Sequence, residues 1–181
     1  LDADRPVLVI TGGSQGSLAI NRIVAAWLRS GGAELAPVIW STGRATHTEF
    51  VSYHNPPMVH VMPFIDPMAD AWSIADLCVA RSGMMTLAEL CAWGIPSVLI
   101  PLPTAAADHQ THNAQALAAA GAAVVLEQEG LGAAHLGNML RELLVDDSRR
   151  RQMASAARAR GRPEAAATIA GRVVHLATEG K

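Results

Sequence analysis

The chain is nearly devoid of lysine. Of its 14 basic residues, 13 are arginine, and the one lysine is the last residue, Lys181. A Walker-type phosphate loop and a Schiff-base mechanism both need an internal lysine amine, so both are excluded. Aromatic residues are scarce at 4%, and alanine dominates the 50% that is hydrophobic. There are 2 cysteines. Cys78 falls in an apolar run and Cys91 on an apolar helical face, a placement that reads as core thiols in a reducing compartment rather than a disulfide. No apolar run reaches the ~18 residues of a membrane-spanning helix, and no signal-peptide pattern is visible. A net charge of -2 excludes nucleic-acid binding by overall charge,.

What is present is an alternation of short apolar runs and helical patterns. A length of 181 residues favours one domain and suffices to bury roughly 70% of the chain's surface,. The absence of an initiator methionine and the early first strand predict an excised domain. Strands are expected at 7–11, 37–41, 58–62, 76–79, 97–101 and 122–126. Between them the spacing predicts helices over 17–29, 44–53, 68–75 and 86–93, and one opening near Asp108, with Asp108 as its cap and Gly121 as its stop. Three further helices are expected over 131–144, 148–159 and 163–177. Six strands alternating with helices predict an α/β fold, a doubly wound six-stranded parallel sheet. In the common 3-2-1-4-5-6 order, strands 1 and 4 are neighbours and a ligand crevice opens between their carboxyl ends.

Both glycine turns of interest follow those two strands. Gly12-Gly13-Ser14-Gln15-Gly16 leads into the first helix. Ala80-Arg81-Ser82-Gly83-Met84-Met85-Thr86-Leu87-Ala88-Glu89 joins strand 4 to the next. A strand, a glycine turn and a helix N-terminus place free backbone N–H groups and the positive end of a helix dipole at one spot, an anion site. Two of them facing one crevice suit a diphosphate. Glu89 lies three residues after Thr86 on the same helical face, and a carboxylate there suits a ribose diol. The same stretch also reads as an ordinary strand-to-helix turn with an N-cap and a first-turn glutamate.

The first turn departs from the dinucleotide fingerprint G-x-G-x-x-G, and strand 2 ends Ser41-Thr42-Gly43, without the acid an NAD site needs. A nucleotide across the crevice with its ribose at Glu89 has its base toward strand 3, where Phe64-Ile65 offers an apolar wall or simple loop packing. His109-Gln110-Thr111-His112-Asn113 brings neutral donors and acceptors beside the crevice, suited to a hydroxyl-rich ligand or to a solvent-facing first turn. His109 and His112 have a metal-compatible spacing, but no third ligand is apparent. Asp2-Ala3-Asp4 has the spacing of a metal-binding acid pair but lies at the terminus. Arg149-Arg150-Arg151 with Arg158, Arg160 and Arg162 forms a basic helical segment, read as a solvated face or as a contact for anionic lipid.

The motifs Gly12–Gly16, Phe64-Ile65-Asp66-Pro67-Met68, Arg81–Glu89 and Asp108-His109-Gln110-Thr111-His112-Asn113-Ala114, in this order and at these intervals, resemble the C-terminal half of the MurG family. That family comprises bacterial transferases that move N-acetylglucosamine from UDP onto the lipid-linked muramoyl-pentapeptide, forming lipid II. The resemblance implies the Rossmann-like, donor-binding half of a GT-B glycosyltransferase, working without a metal or cofactor by inverting displacement at the cytoplasmic face of the plasma membrane. By motif position it implies Ser14 and Gln15 at the phosphates, Ile65 with Phe64 at the uracil, and the amides of Gly83, Met84, Met85 and Thr86 at the diphosphate. It implies Glu89 at the ribose and His109 with Gln110 at the sugar. No catalytic residue is implied here; the general base belongs to an N-terminal acceptor domain outside this chain. Met84 stands where the family has a small residue, and its bulk narrows the pocket. Alternatives of the same fold are a UDP-sugar epimerase or a glycolipid transferase, and a non-catalytic subunit of a split transferase is a further one.

Overall fold

The computed structural model describes residues 5–13 and 15–179. Its six strands are β1 (Leu8–Thr11), β2 (Val38–Ser41), β3 (Val59–Met62), β4 (Leu77–Ala80), β5 (Ser97–Leu99) and β6 (Ala123–Val125). They pair in the order β3-β2-β1-β4-β5-β6, and every pairing is parallel. The expected order therefore holds, with the switch point between β1 and β4.

Strand periodicity sorts the core onto two faces. Leu8 and Ile10 of β1 join one apolar cluster, which includes Ile20, Val24 and Trp27 of α1 (Leu18–Arg29) and Leu136, Leu140 and Leu143 of α6 (Ala133–Val145). Val9, between them, faces the other cluster. That one is built from α3 (Met68–Trp72), α4 (Met84–Trp93) and α5 (His109–Ala119). The result is helices on both faces of a buried sheet, which explains the unbroken apolar strands. α7 (Asp147–Arg160) packs beside α4, and α8 (Ala165–Glu179) leaves Ile169, Val173, Val174 and Leu176 exposed. Both cysteines are free and buried.

Several element boundaries move, four of them for reasons visible in the structure. The helix expected over 44–53 shortens to α2 (His47–Phe50) and a 3-10 turn over Val51–Tyr53. Thr46, Thr48 and Val51 are β-branched, and Pro56-Pro57 forbid continuation. α3 stops at Trp72, where the Ser73 hydroxyl donates to the carbonyl of Asp70. Asp76 precedes β4 rather than opening it, because its Oδ2 accepts the N–H of Val7 at 2.8 Å. α4 opens at Met84, two residues before Thr86, with Gly83 as its N-cap.

Candidate functional site

The β1–α1 turn is shaped by its glycines. A Cβ on Gly12 would lie 2.3 Å from the N of Ser17, and one on Gly16 would lie 2.4 Å from the carbonyl oxygen of Thr42. Only residues without side chains let the turn fold this tightly against the end of β2. Behind it, fully buried Asn21 donates to the Thr42 carbonyl at 2.7 Å and to the Thr46 hydroxyl, and accepts from Trp40 Nε1 at 3.0 Å. These bonds fix α1 against β2 with its N-terminus at the carboxyl edge of the sheet. Ser17 caps α1 through its hydroxyl, which accepts the N–H of Ile20.

The β4–α4 turn is built differently. Gly83 has no side chain to cap with, and Leu87 N–H is the first to bond back, to the Gly83 carbonyl. The N–H groups of Gly83, Met84, Met85 and Thr86 are the four that a helix start leaves without an intrahelical partner. Ser82 turns to α5 instead: its hydroxyl donates to the Gln110 carbonyl at 2.7 Å, and its own carbonyl accepts from Asn113 Nδ2 at 3.1 Å. Asn113 thus ties two elements together.

Beneath both turns lies Arg81, buried at the end of β4. Its Nη1 donates to the carbonyls of Ile100 at 3.0 Å and Pro101 at 2.8 Å; its Nη2 donates to the Ser17 hydroxyl at 2.8 Å and to Gln128 Oε1. One guanidinium therefore joins the ends of β4 and β5, the cap of α1 and the segment after β6. Burial lowers its pKa from the ordinary arginine value,. Among the described residues, the ion pairs are Arg149–Glu142, Arg150–Asp147 and Arg151–Asp147, so no carboxylate neutralises Arg81. The same pairs partly neutralise the basic segment of α7.

A crevice of about 870 Å³ opens over this floor. Of the residues expected at a ligand, Gln15, Phe64, Ile65, Gly83, Met84, Met85, Thr86, Glu89 and Gln110 line it. Phe64 has the Arg44 guanidinium 5.3 Å from its ring centroid. Gln110 commits its Oε1 to the N–H of Leu102 at 3.1 Å, which leaves its Nε2 for a ligand. Glu89 is half-buried, and its Oε2 accepts from Trp72 Nε1 at 3.0 Å.

His109 is not among the walls: its ring is exposed and its Nδ1 donates to the Ala106 carbonyl at 2.7 Å. Ser14 lies outside the described residues, as does Asp2-Ala3-Asp4. Asp108 holds the N-cap position of α5, but its carboxylate accepts from the Thr111 hydroxyl instead of a backbone N–H. Ala107 and Asp108 both have left-handed backbones, φ 49 and φ 53, which point Asp108 away from capping geometry. Among the described residues no three of His, Cys, Asp and Glu gather where they would hold a metal ion.

Leu18, Met68, Trp72, Arg81 and Gln128 also line the crevice and were not singled out as ligand residues from sequence. Arg81 carried a signal, being a positive charge set directly after the apolar run of β4. Gln128 carried none, since its partners are 47 residues away in the chain.

Fold and crevice together define a doubly wound α/β domain with its ligand cleft at the topological switch point. Within that class the assignment is specific. The glycosyltransferase family 28 C-terminal domain matches residues 7–169, and the chain belongs to that family. The UDP-N-acetylglucosamine–N-acetylmuramyl-(pentapeptide) pyrophosphoryl-undecaprenol N-acetylglucosamine transferase of Salinibacter ruber is 45% identical, over 96% of this chain and 47% of its own. The transferase of the same name from Alkalilimnicola ehrlichii is 44% identical, over 90% of this chain and 46% of its own. The crystal structure of Acinetobacter baumannii MurG superposes with a TM-score of 0.80 at 32% identity, covering 93% of this chain and 52% of that one. The chain thus spans about half the length of the relatives it matches. The resemblance drawn from the motifs, to the C-terminal half of MurG, is borne out. So is the GT-B half fold it implied.

Proposed function

We propose that this chain is a single domain that binds UDP-N-acetylglucosamine, the donor half of an enzyme that forms lipid II. The acceptor, a lipid-linked muramoyl-pentapeptide, and the general base belong to an N-terminal domain of the longer protein. That enzyme works peripherally at the cytoplasmic face of the membrane; no helix among the described residues is long and apolar enough to cross one.

The observation that carries this reading is the convergence of the α1 and α4 N-termini on one crevice, with Glu89 on its wall. The uncapped α4 N–H groups and the two helix dipoles attract a diphosphate. Arg81 beneath adds a full positive charge that no carboxylate cancels. Glu89 receives the ribose hydroxyls, and Phe64-Ile65 flanks the base. In transfer, an acceptor hydroxyl oxygen bonds to the anomeric carbon as the bond from that carbon to the phosphate oxygen breaks. UDP leaves with the electron pair, and the acceptor's proton passes to the base outside this chain. The N–H groups at the start of α4 stabilise the charge that grows on the leaving diphosphate.

Calorimetric titration tests the reading, with UDP-N-acetylglucosamine and UDP as ligands and UDP-glucose and NADH as controls. Binding of the first two, lost in Glu89→Ala, is expected. Absence of uridine-nucleotide binding both in this chain and in the full-length protein overturns it, as does binding of NADH in preference.

A further inference from the structure

We propose that Trp72 is a positioning residue for the donor site: its indole N–H holds the Glu89 carboxylate in the orientation that receives a ribose diol. The proposal rests on the donor reading above.

The body of Trp72 is buried in the apolar cluster that also contains Ile65, Leu87 and Leu90. Phenylalanine would supply similar apolar bulk there without a polar atom. Tryptophan brings a buried N–H that needs a partner, and that partner is Glu89 Oε2 at 3.0 Å. Among the described residues Glu89 forms no ion pair. A glutamate on a crevice wall otherwise samples several rotamers, and a ligand must freeze them on binding. The indole removes that freedom before the ligand arrives. Each carboxylate oxygen has two lone-pair sites, so Oε1 and the second site of Oε2 remain for hydroxyl donors.

Chain connectivity adds a consequence. Phe64 and Ile65 lead through Pro67, the N-cap of α3, directly into Met68–Trp72. One short segment therefore supplies the wall beside the base and the donor that orients the ribose carboxylate. Recognition of the base and of the sugar hydroxyls is coupled through α3.

The test compares UDP with 2′,3′-dideoxyuridine diphosphate, which keeps the base and both phosphates and lacks the diol. Trp72→Phe is expected to weaken UDP about 5-fold, the worth of roughly one hydrogen bond. Dideoxy ligand binding should stay within about 2-fold, below the worth of one such bond. Equal weakening of both ligands in Trp72→Phe, or none, overturns the proposal. Should Trp72→Phe fail to fold, the indole N–H resonance of Trp72 in the otherwise unaltered protein decides. It should shift with UDP and not with the dideoxy ligand; the same response to both overturns the proposal. If Glu89→Ala leaves UDP binding intact, the ribose assignment itself fails, and that result is distinct from a failure confined to Trp72.

Discussion

Replacing Arg81 with lysine keeps the charge and removes the fork. The guanidinium meets four acceptors from two nitrogens: the carbonyls of Ile100 and Pro101, the Ser17 hydroxyl and Gln128 Oε1. An ammonium has three donors on one nitrogen, so at least one acceptor loses its partner. The geometry says which. Ile100 and Pro101 are buried, and a lysine nitrogen bonded to their carbonyls is withdrawn from Ser17 and Gln128, which line the crevice. Water reaches that outer pair and recovers part of the loss. The expected destabilisation is therefore about 1–3 kcal/mol, that of one unsatisfied buried group. For a chain of this length that corresponds to a fall in Tm of roughly 2–12 °C. Urea unfolding followed by circular dichroism measures it, with Arg81→Met as the companion variant. Methionine leaves both inner carbonyls without the donor and should cost more than lysine. A lysine variant within about 0.5 kcal/mol of the parent, the range of inconsequential surface changes, would refute the claim that the fork joins the ends of β4 and β5 to the cap of α1.

Gly16→Ala should destabilise by about 2–4 kcal/mol, because it combines a left-handed backbone with a collision; φ is +78 and the new Cβ lies 2.4 Å from the Thr42 oxygen. Gly13→Ala, at φ +86 with nothing within 4 Å, should show only the backbone part, about 1–2 kcal/mol, so the difference between the two melts isolates the contact,. Asn21→Leu strips Trp40 Nε1 of its partner and leaves the Thr42 carbonyl with the Thr46 hydroxyl alone, and should cost about 1–3 kcal/mol in urea unfolding, that of one unsatisfied buried group,. Burial raises the Cys78 thiol pKa far above its ordinary 9.0. Above that pH the unfolded chain releases a proton the folded chain keeps, so stability is full below it and falls by about 1.4 kcal/mol per pH unit as pH rises. Unfolding measured between pH 8 and 10.5 (about the range spanning an ordinary thiol pKa) should show a shallower slope in Cys78→Ala.

The parts of this protein that were legible in its sequence are those set by local chemistry. Apolar runs such as Leu8–Thr11 and Leu77–Ala80 are too short for buried helices and read as buried strands, and their alternation with helices points to a parallel sheet,. Glycines at 12, 13, 16 and 83 mark the two turns, and the strand order then brings both to one crevice. Where local signals conflicted, the boundaries moved. Thr86 has the chemistry of an N-cap, yet α4 starts at Met84 with Gly83 at the N-cap, so the first turn has no side-chain cap. His109 has the chemistry of a sugar ligand; its exposed ring lies outside the crevice walls and places Nδ1 on the Ala106 carbonyl.

The parts that were not legible are side-chain bonds spanning long stretches of chain. Arg81 reaches Ser17 across 64 positions and Gln128 across 47. Asn21 meets the β2 end, and Trp72 meets Glu89. None of these pairs has a fixed spacing or a recurrent pattern, since each is determined by which strand ends the sheet order brings together. They share a physical role. A sheet edge that presents two helix N-termini to a ligand exposes N–H groups, carbonyls and a glutamate that would otherwise be free to reorient. Hydrogen bonds from Arg81, Asn21 and Trp72 fix that edge before anything binds. Preorganisation of this kind puts the cost of ordering into the fold instead of into binding. It also explains why the buried guanidinium lacks a carboxylate: a protein counter-ion there would cancel the field at the crevice floor, where the two helix ends already favour an anion.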